Sequence, residues 1–393
     1  MPKRIPVAGI VTEYRRHSHA DVIIGKILEG PMYDGKDLYE LELVSLYCDQ
    51  YPKDEMARTL AKKYSFRLSE TIADALTHGK NELAVEGVLC IGEHGQYPKN
   101  KIGQILYPRK RFFDDIFATF EKTKKAVPVL HDKHFGPQWE DAKAMYDLAK
   151  KYRAPLLAGS TIPLTWRKPD LQLPMGCELR GAFMLGYGPP EGYGFHALEG
   201  LQCMVERRKG GEKGVRSVQA LKGKEMWTAM EAGRFSQELL ETTLGMVGYH
   251  ARGDYKEICA KTPDASIWLI EYRDGFKAAL GMLNGWVYES DGGSFYFAGQ
   301  QKDKKEIVKT QFYLQQPDPF AHFGYFVKAF EKTIRDQKSP IPAERTLLTS
   351  GILDAAMKSL HEGRLIETPH LEIAYEPVDH EYATGPIPKP IKR

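Results

Sequence analysis

The feature that most limits what this chain can become is the steady succession of short apolar runs and amphipathic stretches over its first part. Ile5 to Val11 reads as a buried strand and His19 to Leu28 as the helix that follows it. Tyr39 to Tyr47 reads as a strand, Asp54 to Tyr64 and Ser69 to Thr77 as helices, and Gly87 to Ile91 as a strand. The series continues with Arg111 to Lys124 (helix), Val127 to Leu130 (strand), Gln138 to Tyr152 (helix) and Pro155 to Gly159 (strand). Such alternation predicts an α/β class with a Rossmann-like, doubly wound parallel sheet and right-handed crossovers. Its working crevice should lie at the carboxyl ends of the strands.

The later sequence changes character. Aromatic-rich strands at Ser266 to Tyr272, Lys277 to Leu283, Ser294 to Phe297 and Thr310 to Leu314 are separated in part by the turn signals Arg273-Asp-Gly and Ser290-Asp-Gly-Gly. They predict an α+β domain with an antiparallel or mixed sheet. Helical patterns at Phe195 to Arg208, Phe323 to Gln337 and Leu347 to Glu362 are expected to pack on it, and Thr161 to Pro190, rich in Pro and Gly, reads as an irregular connection or substrate loop. The organisation expected is a first domain over 1–155, a substrate and dimerisation domain over 156–375 with a closing helix at 347–362, and an extended tail over 376–393. Trp268, Trp286, Tyr296 and Phe312 read as sheet core or interface. A broad sheet with aromatic residues on both faces needs covering, so a homodimer or larger symmetric assembly is expected.

Composition narrows the partners. The chain has 393 residues and a net charge of +3, with Lys and Arg spread throughout, so nothing argues electrostatically for nucleic acid or a membrane surface. The clusters Arg109-Lys110-Arg111 and Arg207-Arg208-Lys209 are short and read as solvated faces. Five scattered cysteines without a CxxC pair suit reduced thiols. With no apolar stretch of spanning length and no signal-like start, a cytoplasmic location is expected.

The first βα turn is where a dinucleotide fingerprint belongs, and it reads Thr12-Glu13-Tyr14-Arg15-Arg16-His17-Ser18. The three glycine positions of G-x-G-x-x-G fall on Val11, Glu13 and Arg16. Those glycines allow a tight turn and close backbone approach to the pyrophosphate, whereas a Glu there repels it. Arg15 and Arg16 attract phosphate only in some other geometry. NAD(P) is therefore expected to bind weakly or not at all. Asp49, ending the second strand, would hold a ribose diol if NAD bound, and otherwise caps the turn before Pro52.

Four landmarks resemble the glucose-fructose oxidoreductase / inositol dehydrogenase (Gfo/Idh/MocA) superfamily over most of the chain. They are Leu46-Tyr47-Cys48-Asp49 with Met56-Ala-Arg-Thr-Leu-Ala-Lys-Lys-Tyr after it; Val129-Leu-His-Asp-Lys133-His134 in the place of a Glu-Lys-Pro segment; Gly194-Phe-His196-Ala-Leu-Glu199 like a Gly-x-His-x-x-Asp helix start; and Leu353-Asp-Ala-Ala-Met-Lys-Ser-Leu-His-Glu-Gly-Arg like a closing helix. The resemblance implies an N-terminal dinucleotide-fold domain, a C-terminal α+β domain built on a large open, mostly antiparallel sheet used for dimerisation, and sugar, polyol or sugar-derived substrates. It also implies that Lys133 and His196 handle a hydroxyl proton while hydride passes to the nicotinamide. This chain departs where His134 replaces the Pro, and where Gly192, beside Glu191, replaces the acid four positions before the His.

Read from the residues alone, Lys133 lies just past a buried strand, where a partly desolvated ammonium serves as acid or base or simply pairs with Asp132. His94 and His196 are further proton carriers. Thr12, Arg15, Asp49 and Glu93 are the candidate cofactor contacts, and Tyr97, Trp166, Tyr193 and Glu199 the candidate substrate contacts. Five of the 12 histidines (His17, His19, His94, His131 and His134) follow strand ends on the same crevice edge, beside carboxylates. Imidazole with carboxylate suits a divalent metal, with Glu13, His17 and His131 as ligands, though no diagnostic spacing such as HExxH occurs. Three functions stay open: an oxidoreductase on a sugar or polyol with non-canonical or absent NAD(P) binding; a redox-inactive, metal-assisted or metal-free carbohydrate lyase, hydrolase or epimerase; and a non-catalytic sugar-binding dimer.

Overall fold

A computed structural model describes residues 4–302 and 304–393. It divides into two compact units: the described residues up to Thr161 with Pro317–Ala343 and Pro388–Arg393, and Ile162–Gln316 with Glu344–Ile387.

The first unit holds six strands, β1 (Ile5–Val11), β2 (Leu41–Cys48), β3 (Arg67–Ser69), β4 (Gly87–Ile91), β5 (Val129–Asp132) and β6 (Leu156–Gly159). All pairings are parallel, in the order β3-β2-β1-β4-β5-β6. The crossover helices are α1 (His19–Glu29), α2 (Ala57–Tyr64), α3 (Ile72–Thr77), α4 (Arg109–Thr123) and α5 (Trp139–Tyr152). Strand order reverses between β1 and β4, which sets the crevice at the carboxyl ends of β1, β4 and β5. Gly9 lets α1 approach β1 closely, since a Cβ there would lie 2.8 Å from the side chains of Ile24 and Leu46. This is the doubly wound parallel sheet expected from the alternation.

The second unit is built on eight strands: β7 (Trp166–Lys168), β8 (Leu179–Gly186), β9 (Val215–Leu221), β10 (Ser266–Tyr272), β11 (Lys277–Met282), β12 (Tyr296–Gln301), β13 (Val308–Tyr313) and β14 (Ile366–Glu367). Their order is β14-β9-β10-β11-β8-β12-β13-β7, and only β11 and β8 pair in parallel. Its helices are α6 (Gly192–Val205), α7 (Glu225–Glu231), α8 (Gln237–Leu244), α9 (Tyr255–Lys261) and α11 (Ala343–Glu362). Helix α6 packs on β8 and β11, and α8 on β8 and β12.

Two expectations change. β8, inside the stretch read as irregular, is a central strand; its Ala-Phe-Met-Leu run is buried on both faces, so it carries no alternation to mark it among the Pro and Gly around it. The helix α10 (His322–Asp336) packs on α1 and β6 of the first unit, not on the second sheet, because an amphipathic stripe says that a face is covered but not by what. Trp268, Tyr296 and Phe312 are fully buried and Trp286 nearly so, which agrees with their reading as sheet core. The tail is extended but engaged: the Ala383 N–H donates to the Leu164 carbonyl in the second unit, and Ile391 N–H to the Asp318 carbonyl in the first. Among the described residues no helix is long and apolar enough to cross a membrane.

Candidate functional site

Three adjacent strand ends of the first unit gather its charged side chains. β1 runs into Thr12, β4 into Gly92-Glu93-His94, and β5 into Lys133-His134. The Glu93 carboxylate takes the Arg109 guanidinium on one oxygen and lies 3.5 Å from Lys133 Nζ on the other. Burial alone would raise Glu93, but the Lys133 and Arg109 charges outweigh it and hold the acid well below the usual carboxylate range. Arg109, 2% exposed, also donates from Nε to the Gly92 carbonyl (2.9 Å) and from Nη1 to His134 Nε2 (2.7 Å). Since His134 Nδ1 donates to the Gly136 carbonyl (2.9 Å), the ring is neutral with Nε2 as acceptor; burial, then Arg109, keep its pKa well below the ordinary value. Thr12 Oγ1 donates to the Glu93 carbonyl and ties β1 to this corner.

Beside that ion cluster sits a histidine–carboxylate pair. His19 Nδ1 donates to Asp132 Oδ2 at 2.5 Å, which leaves Nε2 as the ring's acceptor. His94 lies edge-on to His19, with ring centroids 5.2 Å apart, and Phe323 flanks His19 at 5.3 Å. Burial, then the neighbouring His19, pull the His94 pKa down to about 3, so its ring is neutral at pH 7. Its Nε2 is buried and has no hydrogen-bond partner among the described residues. An orphaned polar atom at a crevice corner marks a place for a ligand atom or water. The backbone agrees: His17, His94 and Lys133 have φ of 60°, 72° and 76°, one left-handed non-glycine residue after each of β1, β4 and β5. Each costs about 1–3 kcal/mol, and strain of this kind concentrates at functional sites.

A dinucleotide does not fit the residues that should hold it. At the start of α1, Ser18 Oγ accepts from the N–H groups of Arg15 and Asp21, while Asp21 Oδ2 accepts from His17 N–H, so the turn caps itself where a pyrophosphate would be bound. Glu13 is buried and paired with Arg15 at 2.6 Å, and Tyr14 is fully buried. The Gln50 N–H donates to the Thr12 carbonyl and the Met56 N–H to the Tyr14 carbonyl, sewing the turn to the loop after β2. At the ribose position Asp49 Oδ1 accepts from Tyr47 (2.7 Å) and Arg111 (2.6 Å), and Oδ2 from Tyr97 (2.8 Å). Burial opposes the charge, yet these hydrogen bonds outweigh it and hold Asp49 below the usual range. Two further bonds join the Gln50 side chain to the Gln96 main chain across the same gap. Each of the four candidate cofactor contacts thus has a partner within the first unit: Thr12 the Glu93 carbonyl, Arg15 Glu13, Asp49 Tyr47, Tyr97 and Arg111, and Glu93 Arg109 and Lys133.

The remaining candidates separate. Glu13, His17 and His131 do not assemble as metal ligands: Glu13 faces Arg15, His17 faces Asp318 at 3.2 Å, and buried His131 donates to the His134 carbonyl. Among the described residues no group of three such side chains could hold a metal ion. Tyr97 is spent on Asp49, Trp166 is buried in β7, and Glu199, 1% exposed, accepts from Thr349 Oγ1 at 2.6 Å, which ties α6 to α11. In the second unit His196 and Tyr193 belong to an aromatic group with Tyr187 and Phe295. The sequence puts His19 and Asp132 on the same crevice edge but carries no sign that they pair, and Arg109, expected on a solvated face, is instead buried in this cluster.

The comparisons bear on the fold. A scyllo-inositol dehydrogenase from Lactobacillus casei, with bound NAD(H) and scyllo-inositol, is 12% identical, matching 93% of this chain and 99% of that one with a TM-score of 0.56. GenD2 from gentamicin A biosynthesis, in complex with NAD, is 13% identical over 93% and 97% (TM-score 0.57), and a myo-inositol dehydrogenase from Corynebacterium glutamicum 15% over 93% and 98% (TM-score 0.55). No family model and no curated protein sequence matches the chain. At these identities the likeness is one of fold: a parallel-sheet unit followed by a unit built on a mostly antiparallel sheet.

Proposed function

We propose that the protein acts on a keto-sugar or keto-polyol by proton transfer at the carbon next to the carbonyl, without a nicotinamide. The observation that carries this reading is the His19–Asp132 pair set edge-on to neutral His94, one strand end from the Lys133–Glu93 ion pair. Asp132 fixes the His19 tautomer, so Nε2 takes the C–H proton. The electron pair released moves onto the carbonyl oxygen. A neutral His94 in its Nε2–H tautomer and the Lys133 ammonium are the donors for that developing oxyanion. Return of the proton from His19 restores the ketone with solvent hydrogen at that carbon, and departure of a β-hydroxyl as water, taking the same proton from His19 Nε2, completes an elimination. Glu93 and Arg109 position Lys133 rather than react.

The polyol class is supported by the fold, since similar solved structures include inositol dehydrogenases and one holds scyllo-inositol. The self-capped α1 turn and the saturated Asp49 favour proton transfer over hydride transfer. The test is proton NMR of 2-keto-myo-inositol and D-fructose in D2O with enzyme freed of nucleotide. Exchange of the C–H beside the carbonyl, lost by about 100-fold or more in His19→Gln, is the expected result. Absence of exchange together with NAD(P)-dependent oxidation of inositol or a sugar overturns it.

A further inference from the structure

Tyr249 is the most exposed large apolar side chain among the described residues, at 62%, and its ring lies 5.7 Å from that of Tyr288, itself 43% exposed. Both belong to the second unit. The pair does not stand alone. Burial, then Tyr193 and the nearby Glu289, which follows Tyr288 in sequence, push the Tyr187 hydroxyl up; Tyr187 is 5.2 Å from Tyr193, which in turn meets His196 at 6.2 Å. On the other flank exposed His250 stacks on Trp286 at 4.2 Å and donates Nδ1–H to the Ala251 carbonyl, so its Nε2 is an acceptor. Two aromatic groups thus lie on either side of Glu289 in the second unit, Tyr187 with Tyr193 and His196, and Tyr288 with Tyr249.

We infer that the Tyr249–Tyr288 pair is a stacking platform for a sugar ring, so that this face of the second unit takes a glycoside or oligosaccharide rather than a single ring. Sugar rings present flat C–H patches to aromatic faces and hydroxyls to the carboxylate and imidazole at the edge. The open tyrosine surface amounts to roughly 200 Å². A stable protein interface needs about 800 Å² per partner, so the patch is too small for a second copy, yet it is the size of one or two sugars. The inference takes from the proposed function only its carbohydrate class.

The experiment uses the full chain on an array of α- and β-linked gluco-, galacto-, manno- and xylo-saccharides of one to six units. The native protein is expected to retain saccharides of two or more units over the corresponding monosaccharides. The Tyr249→Ala/Tyr288→Ala variant should retain them about tenfold more weakly, and the double Phe variant, which keeps the rings, should recover most of the binding. Both side chains are exposed, so the alanine variant is expected to keep its native melting temperature. Retention of no saccharide, or equal retention by the alanine variant, overturns the inference. So does a native dimer that the alanine variant converts to monomer in sedimentation, which would put a second copy on the platform. Tyrosine-dependent binding without any solvent exchange at a carbonyl neighbour would defeat the proposed function and leave the platform standing.

Discussion

Lys133 Nζ lies 3.5 Å from Glu93 Oε1, with both side chains at the mouth of strand ends whose backbones are left-handed at His94 and Lys133. The second Glu93 oxygen belongs to Arg109, so the carboxylate keeps a cation when Lys133 is removed. That arrangement separates chemistry from stability. Lys133→Met is expected to lower turnover by about 100-fold while the fold survives with a modest loss of melting temperature. Retained turnover would show that Lys133 only balances Glu93, and loss of the folded state would make it structural.

Asp49 is the residue that a nucleotide reading and the present account use most differently. It accepts three side-chain hydrogen bonds that clasp the ends of β2 and β4. Asp49→Ala should therefore destabilise the protein by about 1–2 kcal/mol, read from urea midpoints, with no change in KM for the substrate. A raised KM at unchanged stability would return Asp49 to ligand binding.

Acid should weaken the fold through its buried imidazoles. Burial, with His19, holds His94 at about 3; burial, with Arg109, holds His131 at about 4 and His134 well below the ordinary value. An unfolded chain takes up these protons near pH 6.5, so between that value and about 4 the unfolded state binds more protons than the folded one. Stability is then full above pH 6.5 and is lost as pH falls. Urea midpoints at pH 7, 6 and 5 should decline in that order. His131→Phe, which keeps the ring stacked on Phe135, should flatten the decline by up to one proton, or about 1.4 kcal/mol per pH unit. An equal slope in the variant would contradict this.

Glu199 stood among the expected substrate contacts and is instead sealed against Thr349. Glu199→Ala should cost about 2–4 kcal/mol, from a lost hydrogen bond and a cavity in the α6–α11 contact. Glu199→Gln should restore most of that stability at native KM. A shift in KM with the glutamine variant would place the side chain at a ligand after all.

What could be read from the residues follows from periodicity. The β1-α1 unit, β4, β5 and the mostly antiparallel second sheet all carry patterns that local physics imposes, and the helix starts fell within a few residues of Ser18 and Gln138. β8 escaped because a strand buried on both faces has no alternation. The histidine-rich crevice edge was visible because topology puts the ends of β1, β4 and β5 together. The specific partnerships were not: His19 and Asp132 are 113 residues apart, and Asp49 meets Tyr97 and Arg111 only because the β4 loop folds over β2. Arg109 read as surface because its charge run is short and polar, yet its fork is consumed by Gly92, Glu93 and His134.

Calorimetric titration of the purified chain with NAD and with NADP tests the central claim most directly. The self-capped α1 turn and the occupied Asp49 predict no saturable heat with either nucleotide up to about 1 mM, equivalent to binding no tighter than about −4 kcal/mol. A stoichiometric isotherm with a dissociation constant in the low micromolar range for either one would contradict the account and restore hydride transfer to this fold.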